Sequence, residues 1–215
     1  MYPWLEPYQQ RFQKVWTSNR IPHAFLLVGP SGMGKAALAA EWASLFLCEQ
    51  PQQESACGVC HSCQLLRQHS HPDWHLYGAD DTKSIGVDTI RQLSAQLVHS
   101  PQQGKGKVAV ISQAERMTEA AENALLKTLE EPPGNSLLIL LAESAMKLLP
   151  TITSRCQVWS LHADEDIALR WLNEQQPGKK VTSSILRLNQ GAPLRTLAYM
   201  NEGGEQTRQT VINAL

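Results

Sequence analysis

The sequence predicts an α/β fold: a doubly wound parallel sheet with a phosphate-binding loop at its carboxyl edge, followed by a small helical domain. Three observations predict it. The stretch Gly29-Pro30-Ser31-Gly32-Met33-Gly34-Lys35 lies between an apolar run and a helix-forming run, the strand–turn–helix context of a P-loop. The apolar runs at 24, 108 and 137 lack polar alternation, as expected of strands covered on both faces. After Leu161 no strand pattern recurs, and apolar residues fall at helical spacing.

The elements follow in order. Strands are predicted at Ala24–Val28, Trp74–Tyr77, 108–111, 137–141 and 157–161. Helices are predicted at 12–18, 36–48, Val87–Val98 and Glu119–Glu130, with part of 145–154. The helix ending at Glu130 stops because Pro132 and Pro133 cannot continue it. Residues 102–107, Gln-Gln-Gly-Lys-Gly-Lys, form a polar turn before the third strand. Beyond Leu161, short helices are predicted at 164–174, 182–189 and 194–201, separated by Gly- and Pro-containing breaks at 176–180 and 190–193. A last helix is predicted at 205–215. The β-α order with right-handed crossovers leads to the doubly wound sheet, its loop at the carboxyl edge.

At 215 residues and a formal net charge of −1, the chain can build a sizeable core in one or two domains. That balance argues against a strongly basic nucleic-acid-coating surface. No run reaches the length of a membrane helix, and Met1-Tyr2-Pro3-Trp4-Leu5-Glu6 has no signal-peptide character. The expected location is the cytoplasm, where stable disulfides are rare.

Cys48, Cys57, Cys60 and Cys63 are spaced C-x8-C-x2-C-x2-C. Four thiolates match tetrahedral Zn²⁺, and a closed four-ligand site is structural. His61, His69 or His71 could replace one ligand, and redox chemistry or unligated thiols are the competing readings. The segment, at about 48–70, reads as an insertion holding its own small core by metal ligation. Cys156 stands alone and reads as a small buried residue.

In the loop, backbone N–H groups and the helix N-terminus would cradle phosphate oxygens, and Lys35 would reach the outer phosphates. The hydroxyl that should follow the lysine and hold Mg²⁺ is missing: Ala36 and Ala37 stand there. The strand at 108–111 ends in Ser112-Gln113 where metal-holding acids belong, and Glu115 is displaced along the chain. Three losses make self-catalysed hydrolysis unfavourable. The loop either binds nucleotide weakly or stands empty.

The string Asn123-Ala124-Leu125-Leu126-Lys127-Thr128-Leu129-Glu130-Glu131-Pro132-Pro133, the triplet Ser154-Arg155-Cys156 and the Cys-rich insertion occur in one order. In this the chain resembles the clamp-loader subunits of bacterial DNA polymerase III, a branch of the AAA+ ATPases. The resemblance implies a RecA-like parallel-sheet P-loop (AAA+) domain at 1–161, a three-helix lid at 162–203, and the start of a helical collar domain at 204–215. It implies that Arg155 reaches a neighbouring subunit's nucleotide in trans. Gly29, Gly32, Gly34, Lys35 and Arg195, which follows Gly191-Ala192-Pro193, would form a degenerate nucleotide site. At the end of the fourth strand, where the family places a polar sensor, Ala142 or Glu143 falls, and neither is the usual Thr or Asn. The implied role is a non-hydrolysing subunit, with tau/gamma and delta subunits as partners and with sliding clamp and primed DNA reached through the complex; ATP or ADP binding stays open. The alternative is a hydrolysing tau/gamma-type motor with acids from Asp80, Asp81 or Glu115. A zinc-stabilised nucleic-acid module is the third reading, disfavoured by the charge.

Overall fold

A computed structural model describes residues 1–18, 20–52, 54–78, 84–177 and 181–203. Asp80 and Asp81, part of the break at 176–180, and the helix predicted at 205–215 lie outside the described residues.

Five parallel strands form the sheet: β1 (Ala24–Val28), β2 (Trp74–Tyr77), β3 (Lys107–Ile111), β4 (Ser136–Ala142) and β5 (Gln157–Ser160). Their order is β2-β3-β4-β1-β5. The three unalternating runs are the three interior strands. In β1, Phe25 and Leu27 enter one core while Ala24 and Leu26 enter the other, the two-residue period of a strand buried on both faces.

The first face is covered by α1 (Glu6–Thr17) and α2 (Lys35–Leu47) and is rich in aromatics. Phe12 stacks on Trp42 at 4.3 Å between ring centres, and Trp42 meets Trp159 edge-on at 4.9 Å. The opposite face is covered by α4 (Val87–Val98) and α5 (Glu119–Glu130), whose Ile90, Leu93, Leu97, Ala121, Leu125 and Leu129 lie at helical spacing. Thr118 caps α5 by accepting the Ala121 N–H at 3.2 Å. Between β4 and β5 lie a 3-10 turn at Ala145–Lys147 and the one-turn helix α6 (Pro150–Thr153).

Two elements differ from expectation. Helix α1 begins at Glu6 rather than at residue 12, because Pro7 fits the first turn of a helix and Tyr8 anchors that turn to the sheet edge through Ser160 and His162. The Cys-rich insertion contains a helix that spacing did not show, α3 (His61–Arg67). Its Leu66 packs on the main aromatic core, so the insertion shares that core instead of holding one of its own.

After β5, α7 (Glu165–Gln175), α8 (Ser183–Leu188) and α9 (Pro193–Asn201) enclose a separate cluster of Ala168, Leu172, Val181, Ile185, Leu186 and Met200. Asp164 caps α7 through the Ile167 N–H at 3.0 Å. This helical unit touches the sheet domain at the phosphate-binding loop.

Candidate functional site

The loops after β1, β3 and β4 meet at the carboxyl edge of the sheet, where an open α/β sheet places its ligand crevice. They enclose a cavity of about 500 Å³. Ser31 to Ala36, Ser112, Gln113, Glu115, Glu143 and Leu194 contribute to its wall. Gly32 and Gly34 carry φ of +80° and +92°, a left-handed backbone that explains the glycines. Lys35 opens α2 and turns its Nζ back onto the loop, donating to the Gly29 carbonyl and to the Pro30 carbonyl at 3.0 Å. Burial lowers the Lys35 pKa, and the carboxylates of Glu115 and Glu143 oppose that shift.

The positions that would hold a metal carry no carboxylate. Ala36 has no hydroxyl. Ser112 Oγ donates to the Tyr77 carbonyl at 3.2 Å, and Gln113 adopts a left-handed φ of +53°. That turn brings Glu115, displaced along the chain, back to the cavity wall. Its Oε1 accepts the Glu143 N–H at 3.2 Å.

The helical unit and the N-terminus both close on the loop. Leu194 donates its N–H to the Gly32 carbonyl at 3.0 Å. A Cβ on Gly32 would lie 2.7 Å from Arg195 Cβ, so only glycine admits this contact. Arg195 lies over the loop by its backbone, while its side chain donates to Gln190 at 3.3 Å. From the other side, Trp4 donates to the Met33 carbonyl, and Tyr2, Trp4 and Trp171 form a ring cluster joining the N-terminal turn to α7.

Arg155 lies two residues beyond the end of α6 at Thr153. Its side chain is about one-third exposed and pairs with Glu130 at 2.7 Å. Cys156 is half-buried, and burial pushes its thiol up to about 12, which makes it inert.

The four clustered cysteines meet. All four Sγ atoms lie within 4.8 Å of one another, with Cys48–Cys60 at 3.9 Å and Cys57–Cys63 at 4.0 Å. A tetrahedral ion with bonds of about 2.3 Å sets its sulfurs about 3.8 Å apart, so the set fits zinc. Backbone N–H groups of Cys57, Cys60 and Cys63 point at Cys48, Cys57 and Cys60 sulfurs at 3.3 to 3.4 Å, which stabilises thiolates. Such bonds, first from Val59 and Cys60, hold the Cys57 thiol down at about 6. Gly58, at φ +72°, makes the turn between Cys57 and Cys60. These four thiols can hold a metal ion.

His71 is committed elsewhere. Its Nδ1 accepts the Asp73 N–H at 3.0 Å, so the ring proton sits on Nε2 and is shared with Ser62 Oγ at 2.5 Å. Ser62 in turn donates to the Leu47 carbonyl at 2.8 Å. The histidine offers the serine a proton rather than a lone pair, so this buried pair is a strut and not a nucleophile with its base.

A five-stranded parallel sheet in this order, with a P-loop at its switch point and a helical unit against the loop, defines the AAA+ class. Among solved structures, a gamma-subunit-related protein of DNA polymerase III from Thermotoga maritima aligns with a TM-score of 0.58 at 20% identity, over 89% of this chain and 57% of that one. A family model described as DNA polymerase III, delta subunit, matches residues 5–165. The proteins named DNA polymerase III subunit delta' from Haemophilus influenzae and Escherichia coli K12 are 39% and 36% identical over 99% and 100% of this chain. The chain spans 65% of the length of each. The chain belongs to the DNA polymerase III delta' family.

Among the described residues, no helix is long and apolar enough to cross a membrane.

Proposed function

We propose that this chain acts as a non-hydrolysing subunit of a DNA polymerase III clamp loader. Its partners in this reading are tau/gamma and delta subunits, and through them the sliding clamp and primed DNA. Residues 1–161 form the P-loop domain and residues 162–203 the lid. The observation that carries the reading is a phosphate loop complete in its glycines and Lys35 yet lacking every usual metal-holding group: Ala36, Ser112 and Gln113 stand in those places. Without a hydroxyl and a carboxylate on Mg²⁺, the transferred phosphoryl group loses its main charge stabiliser.

Arg155 is the residue such a subunit would contribute. A guanidinium stays charged and forks onto phosphate oxygens, which suits stabilising a neighbour's γ-phosphate in trans. Gly29, Gly32, Gly34 and Lys35, with Arg195 beside them, form a degenerate site whose lysine is turned onto its own loop. Cys48, Cys57, Cys60 and Cys63 hold a structural Zn²⁺, which supplies folding energy and no reaction chemistry.

The test is clamp- and DNA-stimulated ATP turnover by a reconstituted loader carrying this subunit or its Arg155→Ala form. A fall of about a hundredfold or more at the adjoining site, with assembly intact by sizing, is expected. Unchanged turnover would overturn the role of Arg155.

One observation favours the motor reading: Glu115 lines the cavity, and its Oε2 is buried with no hydrogen-bond partner among the described residues. Mg²⁺-dependent turnover by this subunit alone, abolished by both Glu115→Gln and Lys35→Ala, would establish that alternative.

A further inference from the structure

One helix holds both ends of the segment that carries Arg155. Near the start of α5, Glu122 is buried and accepts the Leu149 N–H at 2.7 Å. Leu149 is the N-cap residue of α6, so this carboxylate meets an otherwise unsatisfied donor at the positive end of that helix. Eight residues on, about 12 Å along the axis, Glu130 in the last turn of α5 pairs with Arg155 Nη2 at 2.7 Å. Arg155 Nη1 also donates to the Thr151 carbonyl at 3.0 Å.

Helix α6 has four residues and cannot hold its own geometry, because a single turn is below the length at which helix formation repays nucleation. The segment takes its position from α5. The pair with Glu130 is half-exposed, and such pairs add little to stability. Its effect is on direction. An arginine has five N–H donors in a plane. Thr151 and, at 3.5 Å, Ser154 Oγ take up Nη1, and Glu130 pairs with Nη2, which leaves Nε–H and one hydrogen on Nη2 for an approaching anion. The long side chain is thereby confined near one orientation before any phosphate arrives.

We propose that Glu130 is a positioning residue for Arg155, anchoring the guanidinium so that its remaining donors meet the neighbouring subunit's phosphate. This rests on the reading of Arg155 as a residue acting in trans. An anchored donor contributes pre-organisation, and a misdirected one loses rate with ground-state binding unchanged.

The experiment is a double-mutant cycle in the reconstituted loader, reading kcat and KM for ATP, with assembly followed by sizing. Glu130→Ala should lower kcat about fivefold or more and leave KM for ATP within about twofold. Glu130→Gln keeps an acceptor oxygen at the same reach and should restore most of the rate. In an Arg155→Ala background, Glu130→Ala should have no further effect. Wild-type kcat in Glu130→Ala, alongside a defective Arg155→Ala, would overturn the positioning role while leaving Arg155 in place. An equal loss in both backgrounds would also overturn it, marking Glu130 as structural. A loader indifferent to Arg155→Ala would instead remove the underlying reading.

Discussion

The indole N–H of Trp4 donates to the carbonyl of Met33 at 2.9 Å, which ties the first turn of the chain to the middle of the phosphate-binding loop. Trp4 also stacks on Tyr2 at 5.0 Å and meets Trp171 of α7 edge-on at 5.0 Å. One buried side chain therefore links N-terminus, loop and helical unit.

Trp4→Phe keeps most of the apolar area and removes the donor, leaving a buried carbonyl unpaired. The expected loss is about 1–3 kcal/mol of unfolding free energy. Trp4→Ala also opens a cavity and should cost about 3–5 kcal/mol. Urea denaturation followed by circular dichroism checks both. Equal stability of wild type and Trp4→Ala would show that the contact is incidental.

Removing the metal should loosen the insertion more than the sheet. A purified, reduced preparation should carry about one zinc per chain, as one four-thiolate site requires. Chelation or Cys60→Ser should expose bonds near residues 48–70 to limited proteolysis while the far-ultraviolet dichroism stays largely native. The sharing of Leu66 with the main core predicts some drop in melting temperature as well. A metal analysis showing no zinc would remove the assignment.

His75 on β2 has a buried Nε2 without a hydrogen-bond partner among the described residues. Burial, and then the charge of Lys107, push its pKa below the ordinary histidine value. The unfolded chain protonates this group near about pH 6.5, while the native chain keeps it neutral. The unfolded state then binds more protons, so stability is full above that pH and declines as pH falls below it. His71 shifts in the same direction, also by burial first. His75→Leu should leave stability at about pH 8 little changed and flatten its decline toward about pH 5.5. Denaturation midpoints at the two pH values decide this, and identical slopes for the two proteins would contradict it.

Restoring the missing hydroxyl alone should not create an ATPase. Ala36→Thr supplies one Mg²⁺ ligand, yet Ser112 and Gln113 still provide no carboxylate. Turnover by the isolated Ala36→Thr subunit should stay at the background of a Lys35→Ala control. Clear Mg²⁺-dependent turnover would mean that Glu115 or Glu143, both on the cavity wall, can serve as the acid.

Much of this molecule is local and therefore legible in its residues. The three unalternating runs became the three interior strands because a strand covered twice must be apolar on both faces. Val87–Val98 and Glu119–Glu130 were readable from apolar spacing, and for the latter from two prolines after it. The cysteine spacing contained its own convergence, since C-x2-C turns aim neighbouring sulfurs at one point. Helices α1 and α3 were harder. Residues 6–11 show little apolar periodicity, and α3 spans seven residues whose cysteines serve the metal site rather than a stripe.

What only the tertiary structure decided lies between residues far apart in the chain. Glu115 returns to the cavity because a left-handed Gln113 redirects the turn after β3. Gly32 meets Leu194, and Glu130 meets Arg155, through the packing of whole elements. Residue types and spacing determined which strands are interior, where the glycine loop lies and which thiols converge, because those depend on periods and turns a few residues long. Strand order, the closure of Trp4 and Leu194 on the loop, and the anchoring of Arg155 depend on how separate surfaces fit, and no local pattern encodes that fit.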